Sequence, residues 1–172
     1  TSELLGLLGV ADIRDLTDAD LMGRSEVDVD EASIRRYVSG KRVLVTGAGG
    51  SIGSELCRQL GSFDLGQLLM LDRDETALHD LQLSIEGRAL LDSPSLIVAD
   101  IRDAARMAEV FGRFRPQVVF HAAALKHLTL LEANPSEGVK TNIVGTQNVL
   151  EAARSVRVET FVNVSTDKAA DP

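Results

Sequence analysis

The chain has 172 residues, of which 44% are hydrophobic and 26% charged, and its formal net charge is −8. This length fits one domain, or one domain with an appendage. The negative charge argues against nucleic-acid binding, because such binding depends on neutralising phosphates with Lys and Arg. The sequence contains no apolar run near the roughly 20 residues that a membrane-spanning helix needs, which predicts a soluble domain.

Residues 1–40 differ in composition from the remainder and are interpreted as a lead-in segment. The segment is rich in acidic side chains, and Asp30 is predicted to cap a short helix. Three apolar or aromatic residues recur at helical spacing after this cap: Ile34, Tyr37 and Val38. We find no catalytic pattern here, so the predicted boundary separates a lead-in, 1–40, from a domain over 41–172.

From residue 41 onward, strand-like and helix-like segments alternate. The predicted strands cover 42–46, 67–72, 96–100, 117–121 and 160–165, and the predicted helices cover 51–60, 75–85, 104–111 and 136–154. This alternation indicates right-handed crossovers and an open parallel sheet. The predicted fold is therefore α/β, a Rossmann-type doubly wound parallel sheet with helices on both faces. Cys57, the only cysteine, excludes an intrachain disulfide and is interpreted as a small packing residue.

A glycine-rich loop follows the first predicted strand. Gly47, Gly50 and Gly53 have the spacing G-x-x-G-x-x-G, and glycines there let the backbone turn tightly and approach a pyrophosphate at a helix N-terminus. Asp72 ends the next strand 19 residues after Gly53, where an acidic residue would bind the ribose hydroxyls of NAD. Asp72 therefore favours NAD. Arg73 lies in position to meet a 2′-phosphate, so NADP stays open.

The third predicted strand ends in a second polar motif. Asp100 and Ile101 are interpreted as a carboxylate and a flat apolar side chain that bracket an adenine. Asp103 is interpreted as the N-cap of the following helix. Both roles fit the edge of the sheet at which open α/β folds bind ligands.

The fourth predicted strand leads into the run His-Ala-Ala-Ala-Leu-Lys-His at 121–127. Its three alanines let a ligand pass close to the backbone, as a nicotinamide ribose would. Lys126 either reaches substrate or cofactor or is an exposed loop lysine. The two histidines make no convincing metal pair and no Cys or carboxylate cluster completes a site, so no metal is predicted.

The fifth predicted strand is followed by Ser165, Thr166, Asp167 and Lys168. A hydroxyl, a carboxylate and an ammonium group side by side at the end of a strand can orient a sugar and transfer protons. The position of these groups, more than their composition, makes them candidate catalytic residues.

Taken in order, these motifs resemble those of the extended short-chain dehydrogenases/reductases. More narrowly, the chain resembles the CapD-like polysaccharide-biosynthesis nucleotide-sugar 4,6-dehydratases from about Asp20 to Pro172. The runs that carry the resemblance are V-L-V-T-G-A-G-G-S-I-G-S-E-L, L-D-R-D-E, A-D-I-R-D, H-A-A-A-L-K-H, K-T-N-I-V-G-T-Q-N-V and V-S-T-D-K-A. Several ordered motifs at matching spacing are far more specific than the glycine loop alone.

The resemblance assigns parts of the coenzyme to thirteen residues of this sequence. It implies that the pyrophosphate lies against Gly47, Gly50, Ser51, Ile52 and Gly53. It implies that the adenosine ribose meets Asp72 and Arg73, and the adenine meets Asp100 and Ile101. The nicotinamide side would be bordered by Ala122, Ala123 and Lys126, with Asn142 on the long helix supporting the site.

The resemblance also implies a reaction, in which C4 of a nucleotide sugar is oxidised, water is eliminated across C5 and C6, and hydride returns to C6. Thr166-Asp167-Lys168 stands where many sugar 4,6-dehydratases have Thr-Asp-Glu. The lysine form is typical of the branch that acts on UDP-N-acetylglucosamine. Asp167 would protonate the departing hydroxyl and Lys168 would take the C5 proton.

The family's Tyr-x-x-x-Lys or Met-x-x-x-Lys motif and its sugar-binding region are expected after Pro172, so we interpret the domain as truncated. This chain alone is expected to bind coenzyme without turnover. The resemblance implies a homo-oligomeric parent protein, attached to the inner membrane by N-terminal helices, with this domain in the cytoplasm. A UDP-sugar 4-epimerase and a non-catalytic NAD(P)-binding domain stay open as alternatives.

Overall fold

The computed structural model describes residues 30–88 and 93–165. In this part of the chain, five strands form one parallel sheet with the order β3-β2-β1-β4-β5. The strands are β1 (Arg42–Thr46), β2 (Gln67–Asp72), β3 (Leu96–Val98), β4 (Val118–His121) and β5 (Thr160–Asn163). The chain therefore runs outward from the centre to one edge and then returns to build the other half, which confirms the predicted doubly wound fold.

Helices connect the strands and cover both faces of the sheet. They are α1 (Glu31–Val38), α2 (Ser51–Leu60), α3 (Glu75–Glu86), α4 (Ala104–Phe114), α5 (Leu128–Ala133), α6 (Pro135–Gly138) and α7 (Thr146–Ser155). A π-helical segment, Val139–Gly145, joins α6 to α7. The long helix predicted over 136–154 is thus correct in extent, but its middle is π-helical, and α5 before it is not among the predicted helices.

The strand residues alternate between two hydrophobic clusters because successive side chains point to opposite faces of a sheet. Leu44 belongs to a cluster formed with α4 and α7, whereas its neighbours Val43 and Val45 belong to a cluster formed with α1, α2 and α3. Cys57 lies fully buried in the second cluster, where burial raises the pKa of its thiol to about 12. Its predicted role as a packing residue is confirmed.

Carboxylate caps fix where two of the helices begin. Asp103 accepts a hydrogen bond from the Arg106 backbone N–H at 2.9 Å, which confirms it as the N-cap of α4. Asp74 caps α3 in the same way, accepting from two backbone N–H groups, those of Thr76 and Ala77. These caps place the turns that follow β2 and β3 at the carboxyl edge of the sheet.

Candidate functional site

A cleft opens at the carboxyl ends of the strands, where the strand order reverses between β1 and β4. Thirteen described residues line it: Gly47, Gly50, Leu71, Asp72, Arg73, Ala99, Asp100, Ile101, Ala122, Ala123, Ala124, Leu125 and Thr141. Eight of the thirteen residues that the sequence assigned to a coenzyme are among them. This is the place at which open α/β sheets bind their ligands.

The glycine loop, residues 47–50, carries one side chain, that of the buried Ala48, and leaves little room for others. Gly47 has φ +71°, and a Cβ there would lie 2.6 Å from the backbone N and Cα of Ala123. A Cβ on Gly53 would overlap the Gly47 carbonyl oxygen. The N-cap of α2 is Gly50, which offers no side-chain acceptor, and the first turn has no acidic residue. Its leading N–H groups are therefore open to an anion.

The Asp72 carboxylate ties the end of β2 to the glycine loop. Its Oδ2 accepts a hydrogen bond from the Gly49 N–H at 2.9 Å, and its Oδ1 accepts from the Asp74 N–H at 3.0 Å. An ionised carboxylate has about four acceptor sites, so each oxygen retains a lone pair for a ligand hydroxyl. Arg73 lies beside it in the cleft lining.

The turn after β3 brings Asp100 and Ile101 to the opposite wall. Asp100 forms a two-pronged ion pair with Arg102, the shortest contact being 2.6 Å from Nη2 to Oδ2. These hydrogen bonds hold the pKa of the Asp100 carboxyl below its ordinary value. Ile101 is only 5% exposed, and a Cβ on Gly145 would lie 2.6 Å from its Cδ1. The π-helical segment thus presses directly on the apolar wall.

The alanine loop, residues 122–127, forms the remaining side of the cleft. The side-chain amide of Asn142 forms two hydrogen bonds to this loop. Its Oδ1 accepts from the Leu125 N–H at 2.8 Å, and its Nδ2 donates to the Leu125 carbonyl at 2.9 Å. Lys126 donates from Nζ to the Ser51 hydroxyl at 3.2 Å, which links this loop to the start of α2. Asn142 therefore fixes the backbone of a loop that lines the cleft, without lining the cleft itself.

A buried histidine fixes the strand end from which the alanine loop departs. His121 is 2% exposed; its Nδ1 lies 2.6 Å from the Thr46 hydroxyl and its Nε2 lies 3.0 Å from the Thr146 hydroxyl. Burial lowers the pKa of His121 to about 4. The ring is therefore neutral at pH 7, with one nitrogen donating and the other accepting.

Thr141 was not singled out from the sequence, yet it lines the cleft. It is 8% exposed, and its hydroxyl oxygen has no hydrogen-bond partner among the described residues. A buried hydroxyl normally finds a partner, so Thr141 is an exception among the described residues, and its oxygen is shielded from solvent. The signal in the sequence was its position directly before Asn142 in the run K-T-N-I-V-G-T.

The other predicted residues lie at the rim of the cleft or outside the described residues. Ser51 and Ile52 begin α2, where Ile52 is 55% exposed. The candidate catalytic residues Thr166, Asp167 and Lys168 lie outside the described residues. Across 30–88 and 93–165, no group of three or more His, Cys, Asp or Glu side chains is arranged to hold a metal ion. Over the same ranges, no helix combines the length and apolarity needed to cross a membrane.

Comparison with known proteins identifies relatives of matching fold and sequence. The chain is 43% identical over 173 residues to the probable polysaccharide biosynthesis protein EpsC of Bacillus subtilis (strain 168), covering 98% of this chain and 28% of that protein. It is 32% identical over 135 residues to a Campylobacter jejuni UDP-N-acetylglucosamine 4,6-dehydratase (inverting), covering 78% of this chain and 39% of the relative. The chain thus spans well under half the length of either relative.

Comparison with solved structures also identifies nucleotide-sugar enzymes as similar proteins. The Thermus thermophilus UDP-glucose 4-epimerase in complex with NAD superimposes with a TM-score of 0.60 at 30% identity, over 70% of this chain and 36% of that one. The family described as "Polysaccharide biosynthesis protein" matches residues 43–172. The chain therefore belongs to this family of extended short-chain dehydrogenases/reductases, as its motifs predicted.

Proposed function

We propose that this chain binds NAD or NADP in the cleft and forms the coenzyme-binding part of a nucleotide-sugar enzyme. The observation that carries the proposal is the joint lining of one cleft by the glycine loop, the β2 carboxylate Asp72 and the turn at Asp100 and Ile101. The Thermus thermophilus epimerase, which has a similar fold, is in complex with NAD. The proposal includes NAD as the favoured coenzyme, because a carboxylate at Asp72 repels a 2′-phosphate.

The residues present fit a dinucleotide in shape and in chemistry. A Cβ on Gly47, Gly49 or Gly53 would overlap neighbouring atoms, and the close approach that these glycines allow leaves backbone N–H groups at the start of α2 for the pyrophosphate. Asp72 keeps an acceptor site on each oxygen for the ribose hydroxyls. Ile101 provides an apolar wall for a flat base. Ala122 and Ala123 let the nicotinamide half pass close to the backbone.

We further propose that the parent enzyme is a 4,6-dehydratase of UDP-N-acetylglucosamine. The bound coenzyme supplies a hydride acceptor for C4 of the sugar and a hydride donor for C6. In this scheme Asp167 protonates the hydroxyl that leaves C6, and Lys168 removes the proton from C5. The motif resemblance and the dehydratase relative support the assignment. Positioning of the sugar by Thr166 belongs to the same proposal, as does assembly of the parent enzyme into a homo-oligomer.

A 4-epimerase is the second candidate, because the Thermus thermophilus epimerase shares this fold at 30% identity. An epimerase uses the same coenzyme cleft but leaves C6 unchanged. A third reading is a coenzyme-binding domain without catalysis. The three differ in their products, so one assay separates them.

Coenzyme binding is tested on this chain by titration calorimetry with NAD and NADP. Asp72→Ala is expected to weaken NAD binding at least about tenfold, because hydrogen bonds to a charged group contribute about 1.5–3 kcal/mol. The affinity for NADP should rise relative to the affinity for NAD, because the variant retains Arg73. Asp80→Asn, which changes an exposed carboxylate on α3, is the matched control and should leave both affinities unchanged. Absence of binding to either coenzyme would remove the proposal.

The reaction is tested on the full-length gene product with UDP-N-acetylglucosamine and NAD in deuterated water, followed by proton NMR. A C6 methyl signal on a 4-keto sugar, with deuterium at C5, is the expected result. UDP-N-acetylgalactosamine without a methyl signal would favour the epimerase. An unchanged sugar in a protein that binds coenzyme would favour the non-catalytic domain.

A further inference from the structure

The Arg102 side chain joins the turn after β3 to helix α6. Its Nη2 donates to Asp100 Oδ2 at 2.6 Å, and its Nη1 donates to Glu137 Oε2 at 2.9 Å. Glu137 is held in turn, since its Oε1 accepts from Lys140 Nζ at 2.7 Å. Asp100 lines the cleft, whereas Arg102 is not among the residues that line it. Arg102 therefore acts on the cleft through Asp100.

The number of donors on Asp100 leaves little of its acceptor capacity unused. The Arg102 backbone N–H donates to Oδ1 at 3.0 Å, and Nε–H is shared between Oδ1 at 3.1 Å and Oδ2 at 2.9 Å. Together with Nη2, three N–H groups occupy an ionised carboxylate that has about four acceptor sites. Each oxygen is thus contacted by two donors, but because the Nε–H is shared between them, the three protons leave room for at most one more donor. The direction of that donor is restricted by the planar, two-pronged partner.

We propose that Arg102 is a positioning and specificity residue, which orients Asp100 so that its one remaining acceptor site receives a single N–H donor, the exocyclic amine of adenine. The inference rests on the proposed function, because it requires the coenzyme's adenine in this cleft. Asn148 reinforces the arrangement, since its Nδ2 donates to the carbonyls of Ile101 and Arg102 at 3.0 and 3.1 Å. The turn is thus held by both side chain and backbone.

The test compares NAD with its deamino analogue, in which hypoxanthine replaces adenine and a carbonyl oxygen replaces the amine. The native chain should bind NAD about tenfold more tightly than the analogue, as expected for one hydrogen bond to a charged acceptor. In Arg102→Met the Asp100 carboxylate is free to turn, so the preference should fall to about twofold or less. A merely structural role would weaken both ligands equally and leave the ratio unchanged.

Three further variants make the comparison specific. Arg102→Lys keeps the charge but lacks the planar fork, so its ratio should fall like that of Arg102→Met. Glu137→Gln removes the second charged anchor and should reduce the ratio by a smaller factor. Arg106→Met removes an exposed arginine that pairs with Glu109 on α4, and it should keep the native ratio. Thermal melts followed by circular dichroism check that each variant is folded.

The outcomes separate this inference from the function on which it rests. If NAD binds and the ratio is unchanged in both Arg102 variants, Arg102 does not position the acceptor. If NAD binds the native chain no better than the analogue, Asp100 does not read the amine. If neither ligand binds, the proposed function itself fails, and the inference with it. Should Arg102→Met not fold, Arg102→Lys and Glu137→Gln decide the question.

Discussion

The two sides of the cleft are held in place in different ways. The glycine loop is fixed mainly by backbone hydrogen bonds, since the Ala48 N–H donates to the Leu71 carbonyl and the Gly50 N–H donates to the Gly47 carbonyl. The Asp72 carboxylate adds one side-chain bond, to the Gly49 N–H. The alanine loop has a backbone bond to the sheet, from the Ala122 N–H to the Thr46 carbonyl, and is otherwise fixed by two side chains, one from the π-helical segment and one of its own. Asn142 grips Leu125 from 17 residues away, and Lys126 reaches Ser51 across 75 residues.

This difference separates what local sequence determines from what depends on the assembled fold. Close backbone packing on the glycine side leaves little tolerance for added atoms, and the hydrogen bonds that hold this loop come from the loop itself and from the end of β2. The alanine side depends on a small number of hydrogen bonds from the π-helical segment. We therefore expect substitutions on the glycine side to act on global stability, and those on the alanine side to act locally.

The largest effect is expected for Gly47→Ala. The new Cβ combines a positive φ of +71° with a contact of 2.6 Å to the Ala123 backbone, which has no flexible end to move away. We expect a loss of at least about 3 kcal/mol in the free energy of unfolding, measured by urea denaturation.

Gly40→Ala is the matched control, since Gly40 has φ +69° but no atom within 4 Å of the added Cβ. Its cost should be limited to the left-handed strain, about 1–2 kcal/mol. Equal losses in the two variants would show that the close approach to the alanine loop contributes nothing.

The next effect is the pH dependence of the free energy of unfolding that His121 causes, at the strand end where the alanine loop begins. Its pKa of about 4 in the folded chain lies below the ordinary 6.5, so between these values the unfolded chain binds a proton that the folded chain does not. Stability is fully present above pH 6.5 and falls as the pH drops, by about 1.4 kcal/mol per unit. We expect a loss of about 2 kcal/mol between pH 6.5 and 5.

Urea denaturation at a series of pH values measures this slope. His121→Gln should flatten it, whereas His79→Gln, which changes a histidine on the exposed side of α3, should keep it. A native slope that survives in His121→Gln would assign the proton uptake to other groups.

A smaller effect is expected for Asn142→Leu, which removes both hydrogen bonds to Leu125. Because Leu125 is half-buried and gains access to water when the loop moves, we expect a loss of about 1–2 kcal/mol. Amide exchange should quicken at Leu125 and stay slow at Ala48. Asn134→Ala removes one exposed helix-end bond to the Leu130 carbonyl and should leave both amides unchanged. Faster exchange at both amides would contradict the separation of the two sides.

Gly145→Ala should change stability least. The gain in helix propensity from Gly to Ala, about 1 kcal/mol, offsets part of the overpacking cost of a Cβ that would lie 2.6 Å from Ile101 Cδ1 and 2.8 Å from its Cγ1. Displacement of Ile101 into the cleft should weaken coenzyme binding several-fold, measured by calorimetry. Gly112→Ala in α4, where the added Cβ meets nothing within 4 Å, should only stabilise. Unchanged binding in Gly145→Ala would mean that Ile101 moves without narrowing the cleft.

The sequence predicted best what local patterns determine. The limits of α2, the cap at Asp103 and the glycine loop all follow from strand, turn and helix signals within about ten residues. The assembly of eight predicted residues around one cleft follows from parallel strands ending at one edge. The domain boundary at residue 40 stays a prediction, as do the roles assigned to single site residues.

Other features depend on contacts that periodicity does not encode. The π-helical turns leave an apolar pattern close to that of an α-helix, so the pattern over Val139–Gly145 predicts ordinary helix. The partners of Asp100 are likewise hidden from the sequence, because the pairing with Arg102 and Glu137 joins two elements 35 residues apart. The same holds for Thr141, whose place in the lining depends on how the helix packs.

The strand order also determines when each strand can pair during synthesis of the chain. β1 lies at the centre of the sheet, and Val43 pairs with Val118, 75 residues further along. At the usual 5–20 residues per second, one edge of β1 waits about 4–15 s for its partner to leave the ribosome. The backbone N–H and C=O groups on that edge are unpaired meanwhile, and the face carrying Leu44 lacks the helices α4 and α7 that later cover it. A nascent chain of this topology therefore has a long interval in which chaperone contact on one strand edge protects it from misassembly.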